Sequence, residues 1–254
     1  ANIVGQSATG SGKTLAYLLP ALAQIQPESP ALQALVLAPT YELAMQISQQ
    51  LQQVIQNSGL PIRSMALIGG ANIARQIDNL KKKPQIVVGS AGRILELQKK
   101  GKLKLQQVKV LVLDEFDRLL DDQNQESVAK VQSCLDKQCQ YLLFSATASG
   151  KALDRAQFLA EPKIIKINER TALQPQLENY YFIVEFRDKI DVLRKLTKTL
   201  AVKRGLVFVN KVYDVEKTIE KLAHQGISAA SLIGSDDKMA RSEEHTSELQ
   251  SRLQ

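Results

Sequence analysis

The residues with the clearest chemical potential form one short segment, Ala8-Thr9-Gly10-Ser11-Gly12-Lys13-Thr14. Small residues in such a run let the backbone wrap tightly, so that successive N–H groups face a phosphate. A helix that begins directly after the run points its positive end at the same place. Lys13 would then reach the β- and γ-phosphates of a nucleotide, and the Thr14 hydroxyl would bind Mg²⁺. The segment therefore predicts a phosphate loop (P-loop) that binds a nucleoside triphosphate.

A second group of reactive residues is the acidic pair Asp114-Glu115, which directly follows the apolar run Val110–Leu113. In such a site Asp114 would hold the Mg²⁺, directly or through water, and Glu115 would orient and deprotonate the attacking water. A surface acidic turn is the alternative interpretation. For the first segment the alternative is a Gly/Ser-rich turn with a chance Gly-Lys-Thr. The segment departs slightly from the strict loop pattern, which has Gly at the position of Ser7. The two groups together favour catalysis by Lys13, Asp114 and Glu115.

Alternating strand and helix patterns would bring these two groups together. Several short runs rich in Val, Ile and Leu are apolar on both faces, as parallel strands covered by helices must be. The clearest helix is Glu42–Gln56, whose apolar residues share one face, with Gly59 at the position of a C-terminal glycine. The pattern predicts an α/β fold with a doubly wound parallel sheet. The predicted strands are Ala34–Leu37, Ser64–Ile68, Ile86–Val88, Val108–Leu113, Tyr141–Phe144 and Lys163–Ile167.

A change of composition near residues 168–176 divides the chain. This segment is polar, has no clear period and contains Pro175, which is typical of an interdomain linker. We predict a first domain over 1–167, a linker over 168–178 and a second α/β domain over 179–240. Its predicted elements are strands Tyr180–Val184, Leu206–Val209 and Ala229–Ile233 and helices Lys189–Leu200 and Val212–Leu222, with Gly226 as a stop signal.

Composition and charge narrow the class of protein and of partner. Hydrophobic residues make up 44% of the 254 residues, which is typical of a globular chain and not of a disordered one. A net charge of +7 and a pI of about 9.3 favour a polyanion such as nucleic acid, although a merely basic protein fits them nearly as well. Cys134 and Cys139 lack a His cluster that would complete a zinc site. No apolar run could span a membrane and no targeting signal is recognisable, so we expect a cytoplasmic protein with reduced thiols.

Taken in order, the motifs resemble those of DEAD-box RNA helicases. Asp114-Glu115-Phe116-Asp117 resembles the Asp-Glu-Ala-Asp signature of that family. Pro39-Thr40-Tyr41-Glu42-Leu43-Ala44, followed by Gln46, is similar to its Pro-Thr-Arg-Glu-Leu-Ala segment, which touches the RNA backbone. Ser145-Ala146-Thr147 matches the motif that links nucleotide state to RNA state. Further matches are Gly69-Gly70, Ser90-Ala91-Gly92-Arg93, which resembles Thr-Pro-Gly-Arg, and Val207-Phe208-Val209-Asn210, which resembles the first strand motif of the second domain.

The resemblance covers residues 1 to about 240 and implies two RecA-like domains, the second of them partial. It implies an enzyme that couples binding and hydrolysis of ATP, with Mg²⁺, to local unwinding of RNA duplexes or remodelling of RNA–protein complexes. The expected RNA contacts go to phosphates and sugars and carry no sequence readout. A DNA-directed helicase of the same superfamily and an ATP-dependent RNA clamp without turnover remain as alternatives. The implied RNA-binding residues are Pro39, Thr40, Glu42, Gly70, Gly92 and Arg93, and the coupling residues are Ser145, Ala146 and Thr147.

Some residues depart from the family pattern. Tyr41 replaces an Arg, which removes one cationic phosphate contact unless its ring packs on a sugar or base. Ser90 replaces Thr, Ala91 replaces Pro, and the bulky Phe116 replaces Ala beside the acidic pair. Two lysine-rich runs, residues 81–83 and 99–102, are interpreted as solvated helix ends and turns in preference to extra RNA contacts.

The two ends of the sequence carry expectations of their own. Arg241–Gln254 resembles the translation of a sequencing-library adapter, and we predict an artefact there, with an exposed amphipathic helix as the alternative. The family's adenine-reading segment would precede Ala1, and its arginine finger would come from later in the second domain. Because an arginine finger is worth about 10³ to 10⁵ in rate, we expect this fragment to bind Mg-nucleotide weakly and not to unwind RNA.

Overall fold

The computed structural model describes residues 1–147, 150–156, 159, 162–167, 178 and 180–231. The chain divides into two units, Ala1–Pro175 and Gln176–Gln254, and each is described by itself. The predicted linker and the segment Arg241–Gln254 fall largely or wholly outside the described residues, so the predicted domain boundaries stay predictions. In the first unit the strands are β1 (Ile3–Gln6), β2 (Ala34–Leu37), β3 (Ser64–Leu67), β4 (Ile86–Gly89), β5 (Val110–Asp114), β6 (Gln140–Ser145) and β7 (Lys163–Lys166).

The helices of the first unit lie between these strands along the chain. Their bounds are α1 (Lys13–Ala23), α2 (Tyr41–Ser58), α3 (Ile73–Leu80), α4 (Ala91–Lys99), α5 (Phe116–Leu119), α6 (Gln125–Ser133) and α7 (Gly150–Arg155). The helix predicted over Glu42–Gln56 is confirmed as α2. Gly59 caps its carboxyl end with a φ of 65°, the left-handed conformation that glycine adopts without steric cost.

All seven strands described in the first unit are parallel and form one sheet in the order β3-β4-β2-β5-β6-β1-β7. Side chains alternate between two apolar clusters, one on each face of the sheet. In β5, Leu111 and Leu113 pack into the cluster that includes residues of α4, α5 and α6. Val110 and Val112 pack into the other cluster, with residues of α1 and α2. The predicted doubly wound α/β fold is thereby confirmed.

The sequence pattern missed one strand, β1, although it lies between β6 and β7 in the sheet. Its four residues include Gly5 and Gln6, so no apolar run marks it. The other strands match their predictions within two residues at either end. The missed strand matters for the site because the phosphate loop begins at its carboxyl end.

The described part of the second unit contains a short 3₁₀ helix at Phe186–Asp188, then α8 (Lys189–Thr199) and α9 (Tyr213–His224). The two predicted helices are confirmed, and Gly226 follows α9 with a φ of 74°. The predicted strands Tyr180–Val184 and Leu206–Val209 are wrong for this structure, because neither segment pairs with another strand. Most of their apolar side chains are exposed, and neither segment has the hydrogen-bonded neighbour that a strand requires. The third predicted strand, Ala229–Ile233, extends outside the described residues.

Candidate functional site

The predicted site residues of the first unit follow the carboxyl ends of its strands. Since the strands are parallel, these ends meet at one edge of the sheet, where α/β proteins bind ligands. The neighbouring strands β5, β6 and β1 carry the acidic pair, the Ser-Ala-Thr motif and the phosphate loop. The neighbouring strands β3, β4 and β2 carry the segments with the predicted RNA contacts. The structure thus groups the residues into a nucleotide half and an RNA half on one edge.

The phosphate loop runs from Ser7 to Gly12, between β1 and α1. Gly10 and Gly12 have φ values of 83° and 88°, a left-handed conformation that strongly favours glycine. No side chain caps the amino end of α1. The N–H groups of its first turn, together with the positive end of the helix dipole, therefore suit an anion.

Lys13 is the first residue of α1, and its side chain folds back across the loop. Its Nζ donates hydrogen bonds of 2.8 Å to the carbonyl oxygens of both Ser7 and Ala8. A second contact, 2.6 Å between the hydroxyls of Ser7 and Ser11, also closes the loop. An ammonium group binds an anionic oxygen more strongly than a neutral carbonyl. A phosphate placed in the loop would therefore compete well for Lys13.

Asp114 is the last residue of β5, and its carboxylate is buried. Oδ2 accepts a 2.8 Å hydrogen bond from the Tyr17 hydroxyl of α1, and Oδ1 accepts one of 3.0 Å from the backbone N–H of Glu115. Burial raises the pKa of the Asp114 carboxyl, and these two hydrogen bonds oppose the rise. Burial and the charge of Asp114 raise the pKa of Tyr17 as well. Tyr17 is therefore the proton donor in this pair.

The side chain of Thr14 lies near the same hydroxyl and lowers the pKa of Tyr17. Thr14 and Asp114 thus converge next to the phosphate loop and offer one hydroxyl and one carboxylate. Magnesium in nucleotide sites takes one or two such protein ligands and completes its shell with phosphates and water. The residues present fit a magnesium ion bound together with a nucleotide. Among the described residues, no group of three or more His, Cys, Asp and Glu is arranged to hold a metal alone.

Glu115 adopts a conformation that is uncommon for a residue with a long side chain. Its φ and ψ are both 51°, in the left-handed region, which costs free energy and is often found at functional sites. The carboxylate is partly exposed and lies 3.2 Å from Nη1 of Arg118. Glu115 is therefore accessible to a water molecule, whereas Asp114 is not freely exposed.

The Ser-Ala-Thr segment contacts both other parts of the nucleotide half. Ser145 is the buried last residue of β6, and its carbonyl accepts a 3.3 Å hydrogen bond from the N–H of Ser7. Its hydroxyl oxygen accepts a 3.2 Å bond from the N–H of Thr147. The Thr147 hydroxyl in turn donates to the carboxylate of Asp117. A displacement of the phosphate loop or of the acidic segment would therefore be transmitted directly to residues 145–147.

The loops of the RNA half are tied together at the sheet edge. The N–H of Ala38 donates to Gly89 O at 3.0 Å, and the N–H of Ser90 donates to Leu67 O at 3.2 Å. Thr40 caps the amino end of α2, where its Oγ1 accepts from the N–H of Leu43 at 3.2 Å. Gly70 and Gly92 are exposed and have open space where a Cβ would lie. Pro39 is partly exposed and Glu42 exposed, so a partner could reach the backbone of all three loops.

Arg93, for which the sequence predicts a direct RNA contact, lies mostly inside the protein in this structure. It is only 9% exposed, and its guanidinium donates to the carbonyl of Ala71 at 3.2 and 3.3 Å and to Gln76 Oε1 at 3.1 Å. Gln76 is also buried and donates to the carbonyl of Ile68 at 3.0 Å. In this structure Arg93 therefore positions the glycine loop 68–72 from inside the protein.

Sequence reasoning missed three residues of this site: Tyr17, Asp117 as the partner of Thr147, and Gln76. The signal for Tyr17 was present, because it lies four residues after Lys13 on the same face of α1 and carries the one hydroxyl in the apolar part of the helix after Thr14. The contacts of Asp117 and Gln76 are not marked by any spacing.

Phe116, the departure from the family signature, is completely buried in the core beneath α5. Its bulk is therefore accommodated in the core, where it packs with other apolar side chains.

Comparison with known proteins gives consistent matches. A sequence model of the DEAD/DEAH box helicase family matches residues 1–156. The chain is 39% identical over 241 residues to the probable ATP-dependent RNA helicase YfmL of Bacillus subtilis, covering 94% of this chain and 63% of that protein. It is 40% identical over 241 residues to the DEAD-box ATP-dependent RNA helicase CshC of Bacillus cereus, covering 94% and 61%. The chain thus spans less than two thirds of the length of these relatives.

Solved structures of other proteins are similar to this one. Dbp5 of S. cerevisiae bound to RNA and ADP BeF3 gives a TM-score of 0.80 at 27% identity, over 95% of this chain and 61% of that chain. A DEAD box protein from the hyperthermophile Methanococcus jannaschii gives a TM-score of 0.59 at 29% identity, over 99% and 67%. No helix in the described part of the chain is both long and apolar enough to cross a membrane.

Proposed function

Because the chain belongs to the DEAD/DEAH box helicase family, we propose that it is the motor of an ATP-dependent RNA helicase. ATP binding and hydrolysis would drive local unwinding of RNA duplexes or remodelling of RNA–protein complexes. The observation that carries the proposal is the arrangement of one sheet edge, where the nucleotide half lies beside the RNA half. The ligands in this proposal are ATP and Mg²⁺, the partner is RNA, and the location is the cytoplasm.

In the nucleotide half, residues 8–14 would bind the triphosphate and Lys13 would contact its β- and γ-phosphates. Thr14 and Asp114 would hold Mg²⁺, whose charge stabilises the phosphates as negative charge shifts among them. The hydrogen bond from Tyr17 keeps the Asp114 carboxylate oriented and favours its ionised form. Glu115, held in a left-handed conformation and partly exposed, would accept the proton of the attacking water.

Coupling between the two ligands would pass through residues 145–147. The contacts from Ser145 to Ser7 and from Thr147 to Asp117 join the phosphate loop to the acidic segment. In the RNA half, the exposed backbone near Thr40, Gly70 and Gly92 would donate to phosphates and sugars. Contacts of that kind hold an RNA strand without reading its sequence.

The proposed domain boundaries remain 1–167 for the first domain, 168–178 for the linker and 179–240 for the second domain.

RNA-stimulated ATP hydrolysis in the longest natural protein that carries this chain tests the proposal. We expect Glu115→Gln to abolish hydrolysis while a fluorescent ATP analogue still binds, because the amide cannot accept a proton. A clamp without turnover would show no hydrolysis in the unsubstituted protein either. A DNA-directed helicase would be stimulated at least as strongly by DNA of matched sequence and length as by RNA. Either result would overturn the proposal.

A further inference from the structure

A strongly basic surface lies at the amino edge of the sheet, opposite to the edge that carries the phosphate loop. We define it as the segments that lead into five neighbouring strands, which are loops 59–63, 81–85 and 24–33, loop 99–109 counted from Lys99 at the end of α4, and loop 134–139. These loops contain ten Lys and Arg residues against two Asp and Glu residues. The loops that follow β1, β2, β3 and β4 at the carboxyl edge contain no Lys or Arg, and the first turns of the helices after them include Lys13 and Arg93. The excess positive charge therefore lies far from the nucleotide half.

The cations of this amino edge are available to a partner. All ten residues are exposed. Among the residues that the structure describes, only Lys81 has a carboxylate partner, Asp78 at 2.7 Å. The other nine form no ion pair within the described part of the protein, although Lys82 also lies close enough to Asp78 to lower its pKa. The ten cations are Arg63, Lys81, Lys82, Lys83, Lys99, Lys100, Lys102, Lys104, Lys109 and Lys137.

The loop 99–109 holds its lysines in a fixed direction. Leu103 and Leu105 are buried in the core and alternate with the exposed Lys102 and Lys104. The N–H groups of Lys102 and Leu103 both donate to the carbonyl of Leu97, at 2.9 and 3.2 Å. Because the leucines anchor the loop, the lysines project outward from a rigid base, which lowers the entropy cost of binding.

Hydrogen bonds join the loops of the amino edge across the sheet. The buried side chain of Gln85 accepts from the N–H of Arg63 at 2.9 Å and donates to the carbonyl of Pro27 at 2.8 Å. The carbonyl of Gln33 accepts from the N–H of Lys109 at 2.7 Å. With neighbouring strands about 4.8 Å apart, the five strands place the cations along roughly 20 Å. A nucleic-acid duplex, with about one charge per 1.7 Å of its axis, presents many phosphates over that distance.

We propose that this amino edge binds the phosphate backbone of double-stranded RNA, separately from the contacts at the carboxyl edge. Lys and Arg contacts to phosphates supply affinity without sequence readout, and duplex RNA is recognised mainly through its backbone. Single-stranded RNA fits less well, because unpaired bases bind by stacking on aromatic side chains. The five loops contain no Phe, Tyr or Trp. The choice of RNA as the polyanion rests on the proposed function.

The amino edge acts as a tether in this view. The strands are four to six residues long, so roughly 13 to 20 Å separates the two edges. A duplex held at the amino edge leaves the carboxyl edge free and raises the local concentration of structured RNA near it. Binding at the amino edge should therefore not depend on nucleotide.

The test uses the 254-residue chain and a fluorescent RNA duplex, with binding followed by anisotropy in the absence of nucleotide. The variant is the double substitution Lys102→Glu and Lys104→Glu, which leaves the anchoring leucines in place. We expect the affinity for the duplex to fall about tenfold at moderate salt. The slope of log K against log salt should fall by about two, one for each cation lost. The charge-preserving variant Lys102→Arg with Lys104→Arg should bind like the unsubstituted chain.

A matched control carries the same charge change on α8, as Lys195→Glu with Lys198→Glu, and should keep its affinity for the duplex. Binding of a fluorescent ATP analogue should be equal in all variants, because none of these lysines lies in the nucleotide half. The proposal is overturned if both double-Glu variants lose the same affinity for the duplex, or if neither loses affinity. It is also overturned if Lys102→Glu with Lys104→Glu lowers the affinity for single-stranded RNA as much as the affinity for the duplex. Equal competition by an acidic polypeptide of matched charge also overturns it. Failure of the proposed function would instead appear as absent RNA-stimulated hydrolysis in the unsubstituted protein.

Discussion

The hydroxyl of Tyr17 donates a 2.8 Å hydrogen bond to Oδ2 of Asp114, and both residues are buried. Tyr17 lies one turn after Lys13 on α1, so the bond joins the helix behind the phosphate loop to the acidic pair at the end of β5. The ring of Phe144 lies 5.3 Å from the Tyr17 ring. It also fills the space beside Gly5 of β1, where a Cβ would meet it at 2.6 Å. Buried contacts thus fix β1, α1, β5 and β6 relative to one another.

Replacing Tyr17 with Phe removes this hydrogen bond with little change in shape. Burial raises the pKa of Asp114 and the bond from Tyr17 lowers it, so the pKa should be higher in the variant. Since only the ionised carboxylate can hold Mg²⁺, Mg²⁺-dependent nucleotide affinity exists above that pKa and is lost as the pH falls through it. We expect the loss to begin at a higher pH in Tyr17→Phe. Affinity should fall about tenfold, as for other hydrogen bonds to charged groups.

The measurement is binding of a fluorescent ATP analogue as a function of pH, with Mg²⁺ and with a chelator. With the chelator, the unsubstituted protein and Tyr17→Phe should bind the analogue equally well, because Asp114 then has no Mg²⁺ to hold. An identical pH profile for both proteins in the presence of Mg²⁺ would show that Tyr17 does not act through Asp114.

Two glycines of the RNA half should respond oppositely to alanine. At Gly89 of β4 a Cβ would lie 2.2 Å from the carbonyl oxygen of Leu67, a backbone atom of the neighbouring strand. Gly89→Ala should therefore lower the free energy of unfolding by about 3 kcal/mol. At Gly92 of α4 no atom lies within 4 Å, so Gly92→Ala should raise it by up to about 1 kcal/mol through helix propensity. Denaturant unfolding of both variants checks this, and equal effects would contradict the strand contact.

The parts of the site that the sequence predicted are those encoded by short local spacings. The residues of the phosphate loop are close together in the sequence, and so are those of the acidic pair. Each segment follows a strand, because α/β proteins bind ligands at the carboxyl ends of their parallel strands. The Tyr17–Asp114 contact joins residues 97 positions apart, and no local pattern specifies it. Likewise, each of the lysine-rich runs, residues 81–83 and 99–102, is interpreted as a solvated helix end or turn when it is considered alone. Only the order of the strands places them along one edge.

Apolar runs predicted strands well in the first unit and poorly in the second, for one physical reason. A strand is completed by hydrogen bonds to a neighbour, and the runs at β2, β4 and β5 have neighbours on both sides. Ile183 and Phe208, in the runs predicted as strands of the second unit, are 96% and 91% exposed and lie in unpaired backbone. The opposite error occurred at β1, where neighbours on both sides stabilise a strand that contains Gly5 and Gln6.

Substitutions can distinguish two roles of Arg93, which are positioning of loop 68–72 and direct contact with RNA. Arg93→Lys keeps the charge but loses the forked contacts to Ala71 and Gln76. We expect it to lower the free energy of unfolding by about 1 to 2 kcal/mol. If Arg93 acts by holding loop 68–72, Gln76→Leu should weaken RNA binding by a similar factor. If Arg93 contacts phosphate directly, Arg93→Ala should reduce the salt slope of RNA binding by about one, while Gln76→Leu leaves affinity unchanged.

The hydroxyl of Thr147 should matter for coupling more than for either ligand alone. Thr147→Val keeps the shape of the side chain and removes the hydrogen bond to Asp117. Because this hydrogen bond is exposed to solvent, it contributes about 0.5 to 1.5 kcal/mol, so communication between the nucleotide and RNA halves should weaken by about two- to tenfold. The expected readout is a drop of that size in the factor by which nucleotide tightens RNA binding. Nucleotide affinity measured without RNA should change little.

Thr147→Ser is the matched control, since it keeps the hydroxyl and the N–H contact to Ser145, and it should preserve the coupling factor. By thermodynamic reciprocity the same factor must be lost whether nucleotide is added to the RNA-bound protein or RNA to the nucleotide-bound protein. Both directions can be titrated by anisotropy with the longest natural protein that carries this chain. If Thr147→Val loses nucleotide affinity in the absence of RNA and keeps the coupling factor, the Thr147–Asp117 contact serves the nucleotide half only. The link between the two halves would then have to pass through Ser145 and the phosphate loop.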